Sequence, residues 1–132
     1  MAQVKICLDT CAYSGLAVHR AELVECVEEA ETVYISSIVI GELFAGFCLG
    51  EREKENRREL AAFLDLPGVQ VVNIDASVAD RYGILVKMLR KIGTPIPTND
   101  IWIAAAALET GSRLVTYDSH FDCIPGLLVI AP

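Results

Sequence analysis

Hydrophobic positions in this chain alternate between short dense runs and longer stretches at helical spacing, and the two kinds take turns along its length. Residues 4–8 are an apolar run broken only by Lys5, which predicts a buried strand ending at Asp9. Over residues 21–30, Leu23, Val24, Val27 and Ala30 recur among glutamates, predicting an amphipathic helix with an acidic outer face. Residues 32–35 are β-branched and short, a second strand. Ser36 or Ser37 can then cap a helix carrying Ile38, Val39, Ile40 and Leu43, with Glu42 in its early turns. Residues 51–66 set Arg52, Lys54, Arg57 and Arg58 among glutamates ahead of Leu60, Phe63 and Leu64, the pattern of a helix with a salt-bridged outside and one apolar stripe.

Pro67-Gly68 ends that helix, and residues 69–74 predict a third strand. Asp75 or Ser77 caps the next helix, which runs through Lys91 to a loop stiffened by Gly93, Pro95 and Pro97. Thr98 or Asn99 is then expected to cap a helix over residues 100–110, stopped by Gly111. Residues 113–117 predict a fourth strand ending at Asp118, and residues 127–130 a fifth. Strands that alternate with helices argue for an α/β fold with a central, mostly parallel five-stranded sheet covered by helices on both faces, because parallel neighbours need crossover connections. Ligands of such sheets bind beyond the carboxyl ends of the strands, where the strand order reverses. Asp9 and Asp118 are both expected there.

The length of 132 residues, with 53% hydrophobic and 22% charged, suits one domain over residues 1–132. No run approaches the roughly 18 apolar residues of a membrane span, and the N-terminus lacks the pattern of a secretion signal, so a cytoplasmic protein with no membrane partner is expected. The five cysteines include no C-x-x-C pair and are expected as free thiols, with Cys7 and Cys11 as buried small hydrophobes.

The candidate chemistry lies in four acids far apart in the chain, Asp9, Glu42, Asp100 and Asp118, each placed where an apolar run ends or a helix opens. Singly, each has an ordinary explanation as a turn former, a helix-start residue or an exposed glutamate. Glu42 is the exception, since it sits in an otherwise apolar stretch where an unpaired buried carboxylate is costly. Four carboxylates gathered in one pocket repel one another unless cations neutralise them, and hard oxygen donors suit Mg²⁺ or Mn²⁺. That chemistry points to phosphate esters.

The formal charge of −7 is a poor match to a general nucleic-acid binder, although bound divalent cations would offset part of it. His19 and His120 have no ligand-like partner three or four residues away, so surface or satisfied polar roles are expected for both. Lys87, Arg90 and Lys91 are read as complementing a helix dipole, and Trp102 as core or interface. The glycines between residues 41 and 50 form no phosphate-binding loop, because no Gly-Lys-Ser or Gly-Lys-Thr follows them.

Asp9-Thr10 after the first strand, Glu42 in its helix, the segment of residues 98–109 opened by Asp100, and Leu114-Val115-Thr116-Tyr117-Asp118 followed by Phe121 and Ile124-Pro125-Gly126-Leu127 together resemble PIN-domain ribonucleases, particularly the VapC-type toxins of toxin–antitoxin pairs. The resemblance spans nearly the whole chain and is most specific in its C-terminal third. It implies a PIN-like three-layer sandwich, with Asp9, Glu42, Asp100 and Asp118 as catalytic and metal-binding residues for one or two Mg²⁺ or Mn²⁺ ions. Thr10, Thr116 and Asp122 are secondary candidates, with Asp122 equally readable as a loop carboxylate. Which acid serves as general base stays open.

The activity implied is endoribonuclease cleavage of tRNA or another structured RNA, leaving a 5′-phosphate and a 3′-hydroxyl. The implied partners are a VapB-like antitoxin covering the pocket and a second copy in a homodimer. A non-toxin PIN nuclease and a non-catalytic scaffold are the alternatives; a scaffold has no need to concentrate carboxylates. An aspartyl-phosphate phosphatase wants a second aspartate two positions after the first, where this chain has Cys11.

Overall fold

The computed structural model describes residues 4–132. Strand β1 (Lys5–Leu8) leads into α1 (Thr10–Ala17) and α2 (Ala21–Glu29), then β2 (Thr32–Ser36), α3 (Ser37–Leu49), α4 (Glu53–Leu64) and β3 (Val69–Val72). Helices α5 (Ala76–Ile92) and α6 (Thr98–Thr110) follow, and then β4 (Arg113–Val115), a short 3₁₀ helix (Ser119–Cys123) and β5 (Val129–Ile130). The strands form one sheet in the order β3-β2-β1-β4-β5, and every pairing is parallel. An α/β sheet of five strands is therefore what the alternation foretold.

Central strand β1 buries Ile6, Cys7 and Leu8 in succession, which a strand does only when both faces of its sheet are covered. Parallel crossovers are right-handed, so the connections from β1 to β2 to β3, which step one way across the sheet, put α1 to α4 on one face. The β3-to-β4 connection steps back past β1 and puts α5 and α6 on the other. Alanine is what lets α6 approach closely: Ala104, Ala105, Ala106 and Ala107 are all fully buried. Trp102, half-buried, stacks on Tyr82 of α5 with ring centroids 3.9 Å apart.

Several local expectations need correction. Helix α1 went unpredicted because its sequence, with Ser14 and Gly15 in the middle, has weak apolar periodicity. Its signal was the cap: Asp9 Oδ1 accepts the Ala12 N–H at 2.8 Å. Helix α6 begins at Thr98 behind Pro97, with no side-chain cap, so neither Thr98 nor Asn99 fills that role. The proline fixes the entry backbone instead. Strands β3, β4 and β5 are shorter than their apolar runs; β4 stops at Val115, so Asp118 lies beyond the strand end and caps the 3₁₀ helix by accepting the His120 N–H at 2.9 Å. Elsewhere the capping residues were legible: Ser36 caps α3, Asp75 caps α5, and Gly93 and Gly111 close α5 and α6 with left-handed backbones.

Gly15 is buried where α1 meets α2, and a Cβ there would stand 2.4 Å from Leu23 Cδ1, on a side chain with no exposure of its own. Gly15→Ala should therefore destabilise the fold by about 1 kcal/mol, overpacking outweighing the gain in helix propensity. Gly46→Ala, where a Cβ meets nothing within 4 Å, should stabilise by about 0.5–1 kcal/mol. Urea unfolding midpoints of the two variants test this; shifts of the same sign would refute the packing account.

Candidate functional site

The strand order reverses at β1, so the carboxyl ends of β1 and β4 lie side by side at the point where crossovers depart in opposite directions. An open pocket of about 570 Å³ lies there, lined by Asp9, Thr10, Cys11, Glu42, Asp100, Tyr117, Asp118, Ser119 and Phe121. All four predicted acids face it. Asp9 comes from the end of β1, Glu42 from the second turn of α3, Asp100 from the first turn of α6, and Asp118 from the loop after β4.

Each of two acids is held by both its oxygens. Asp9, 5% exposed, accepts from Ala12 through Oδ1 and from the Thr116 hydroxyl through Oδ2. The same Thr116 oxygen accepts the Asp118 N–H at 3.0 Å, so one buried hydroxyl joins the β1 carboxylate to the loop that carries the next. Half-buried Glu42 accepts the Thr10 hydroxyl at 2.5 Å through Oε1 and the Asn99 amide at 3.3 Å through Oε2. The cost of a carboxylate in an apolar helix is thus offset by two donors.

Asp100 and Asp118 form a tighter group with His120. Ligand atoms of these three lie within 4.8 Å of one another, and His120 Nδ1 stands 3.1 Å from Asp118 Oδ2 and 3.9 Å from Asp100 Oδ2. Burial, and then the charges of Asp118 and Glu42, push the Asp100 carboxyl above its ordinary range, against a smaller opposing effect of His120. Burial also raises Asp9; the Thr116 and Ala12 hydrogen bonds oppose it, and Asp118 and Glu42 add to it. Two oxygen donors and an imidazole at this spacing, in a pocket whose acids disfavour one another's ionised forms, fit a divalent cation.

The sequence readings fare unevenly at this site. Thr10 and Thr116 are both in place as carboxylate partners, whereas Asp122 is exposed and lines no part of the pocket. It lies inside the 3₁₀ helix, four residues past the Asp118 that caps it. Cys11 is exposed at the pocket wall rather than buried in the core, because α1 turns its first residues toward the acids. Burial and then Asp9, Asp118, Glu42 and Asp100 raise its thiol, while burial pushes the Cys7 thiol up to about 12. All five cysteines are free.

His120, expected in a surface or satisfied polar role, is exposed as that reading allows but stands among the acids. Helical spacing could not find it, since its partners are two residues back around a 3₁₀ turn and across the pocket on α6. His19 is exposed and away from the pocket. Asn99 and Arg20 were also missed. Arg20 lies over the Tyr117 ring at 5.4 Å, and the Tyr117 hydroxyl donates to Glu22 at 2.8 Å, which places one cation beside an exposed aromatic at the acidic rim.

Comparison with known proteins places the fold among described relatives. The PIN domain family model matches residues 6–127. Ribonuclease VapC2 of Rickettsia felis is 31% identical over 106 residues, covering 80% of this chain and 78% of that protein. Ribonuclease VapC4 of Mycobacterium tuberculosis is 29% identical over 96 residues, covering 73% and 74%. Among solved structures, that of VapBC2 from Rickettsia felis bound to a DNA fragment from its promoter superposes with a TM-score of 0.85 at 27% identity, covering 96% of this chain and 98% of that one.

The raised acids set a pH dependence. Asp9 and Asp100 bind protons more tightly in the folded protein than in the unfolded chain, where carboxylates titrate near about 3.9. Between the unfolded and folded values the native state holds the extra protons, so stability falls as pH rises through that window. Melting temperatures of chelator-treated protein from about pH 4 to pH 8 should show this decline, and Asp100→Asn should flatten it. An equal slope in both proteins would mean that the Asp100 carboxyl is not raised by folding.

Proposed function

The chain belongs to the PIN-domain family, as the VapC ribonucleases do, and on that footing we propose that its four-carboxylate pocket hydrolyses RNA phosphodiester bonds with a bound divalent cation. The observation that carries this reading is the convergence of Asp9, Glu42, Asp100 and Asp118 on one open pocket at the carboxyl end of the sheet. The protein is a VapC-type toxin endoribonuclease in this account. Mg²⁺ or Mn²⁺ is the cation the oxygen donors suit.

Asp100 and Asp118, whose ligand atoms lie within 4.8 Å of each other, would hold the cation, with Asp9 and Glu42 completing the charge around it. A divalent ion bound there supplies an ionised water and neutralises charge on the phosphoryl and leaving oxygens. The protein's own work is orientation. Thr116 and Ala12 keep Asp9 facing one way, and Thr10 and Asn99 do the same for Glu42, so these carboxylates need not reorganise when charge develops. Asp100, in the first turn of α6, has its ionised form favoured by the helix dipole while its neighbours oppose it. The opposition is relieved once a cation is present.

Structured RNA, with tRNA as the first candidate, must approach a chain whose formal charge is −7. Arg20 at the rim offers its phosphates one local cation, and the exposed Tyr117 ring beside it offers a face for a base. The same acidic mouth suits a basic segment of a VapB-like antitoxin, since complementary charge favours such a plug. A homodimer completes the proposed assembly. No helix of the described residues is long and apolar enough to cross a membrane.

Cleavage of RNA by the purified protein with Mn²⁺ should fall by at least about a hundredfold in Asp9→Asn and Asp100→Asn, with circular dichroism unchanged, and should persist in Asp122→Asn. Retained cleavage in the first two variants would remove the pocket from the reaction. Mn²⁺ at about a hundred times its dissociation constant should also stabilise the fold by about 2.7 kcal/mol, raising the melting temperature by roughly 10 °C. That gain should be lost in Asp100→Asn; an unchanged melting curve in the parent protein would count against a cation in the pocket.

A further inference from the structure

His120 stands with Asp100 and Asp118 in one cluster of possible metal-ligating atoms, and four-carboxylate chemistry gives it no role. Its placement is built rather than incidental: its backbone N–H is fixed on Asp118 Oδ1, its carbonyl accepts from the Cys123 thiol at 3.0 Å, and the next residue, Phe121, is 1% exposed and anchors the turn in the core. Nδ1 is thereby held 3.1 Å from Asp118 Oδ2 and 3.9 Å from Asp100 Oδ2. Donor atoms bound to one ion at about 2.0–2.2 Å stand roughly 3 to 4.4 Å apart, so ligand atoms within 4.8 Å of one another close onto a single cation with small side-chain adjustments. The imidazole is 56% exposed and free to make them.

We propose that His120 is a direct nitrogen ligand to the cation held by Asp100 and Asp118, and that it makes this pocket prefer Mn²⁺ over Mg²⁺. The proposal rests on the reading of the pocket as a metal site. Mg²⁺ demands oxygen donors in near-ideal octahedral geometry, whereas first-row transition ions accept imidazole, so one nitrogen among the donors strengthens Mn²⁺ binding and does little for Mg²⁺. The competing account is that His120 only pairs with the two aspartates, as a cation or a hydrogen-bond donor. In that case it would be displaced from them when an ion binds, and it would leave no mark on the ion.

Pulsed electron paramagnetic resonance on the full chain loaded with Mn²⁺ separates the two. An imidazole ¹⁴N hyperfine coupling is expected in the parent protein and should vanish in His120→Gln, which keeps a polar side chain on the exposed turn. Titration calorimetry should show the ratio of Mn²⁺ to Mg²⁺ affinity falling about tenfold or more in that variant, through weaker Mn²⁺ binding. Bound Mn²⁺ without ¹⁴N coupling in the parent protein would overturn the role of His120 while leaving the carboxylate site standing, as would an unchanged affinity ratio in the variant. Absence of Mn²⁺ binding altogether would overturn both this proposal and the metal reading beneath it.

Discussion

A carboxylate at 5% exposure on the end of a central strand is the constraint around which this fold is arranged. Asp9 cannot shed its charge into water, and burial without partners would cost several kcal/mol. The structure offsets this with two donors from different parts of the chain, the first turn of α1 and the hydroxyl of Thr116 beyond β4. That second bond also fixes the neighbouring loop, because Thr116 takes the Asp118 N–H on the same oxygen. A buried acid, the strand it ends and the next acid are thereby parts of one hydrogen-bonded unit. Any account of the site has to begin from that unit.

The sheet order gives this unit its neighbours. With β1 central and β2 and β4 on either side, the connections leave the carboxyl ends in opposite directions and leave a cleft between them. Helices α3 and α6 then each turn one carboxylate into the cleft, Glu42 and Asp100, and Asn99 spans the gap between them. The acids are consequently not equivalent. Asp9 and Glu42 are held by hydroxyl, amide and backbone donors, while Asp100 and Asp118 form a group with the His120 imidazole, their ligand atoms within 4.8 Å of one another. Two are anchored for direction, and the other two are the ones proposed to share an ion.

Overall acidity and a nucleic-acid substrate are at odds only when charge is averaged over the surface. The acids that matter for the proposed reaction sit in one pocket, where the proposed cation would offset part of their charge, and Arg20 lies on its rim. Elsewhere the ion pairs are exposed pairs such as Arg52 with Glu55 and Arg57 with Glu53 on α4, which solvate the outer face and contribute little to stability.

Much of this protein was legible without coordinates. Periodicity and caps located five strands and five of the six α-helices, and the alternation of the two required a parallel sheet with both faces covered. Asp9, Glu42, Asp100 and Asp118 stood out because each lies where an apolar run ends or a helix opens. What stayed hidden was whatever depends on distance between segments. Helix α1 was invisible because its buried residues, Ala12, Tyr13 and Gly15, form no long apolar stripe and owe their burial to neighbours such as Leu23 and Phe63. Cys11, Asn99 and His120 carry no local anomaly at all, and their meaning arises only from what folding sets opposite them. Local periodicity reports which side of an element is buried, so the chain alone determined its strands, every helix but α1 and its candidate acids. Strand order and the path of each loop fix separations between residues a hundred positions apart, so only the tertiary structure decided that Thr116 reaches Asp9 and that Asp100 and Asp118 close on His120.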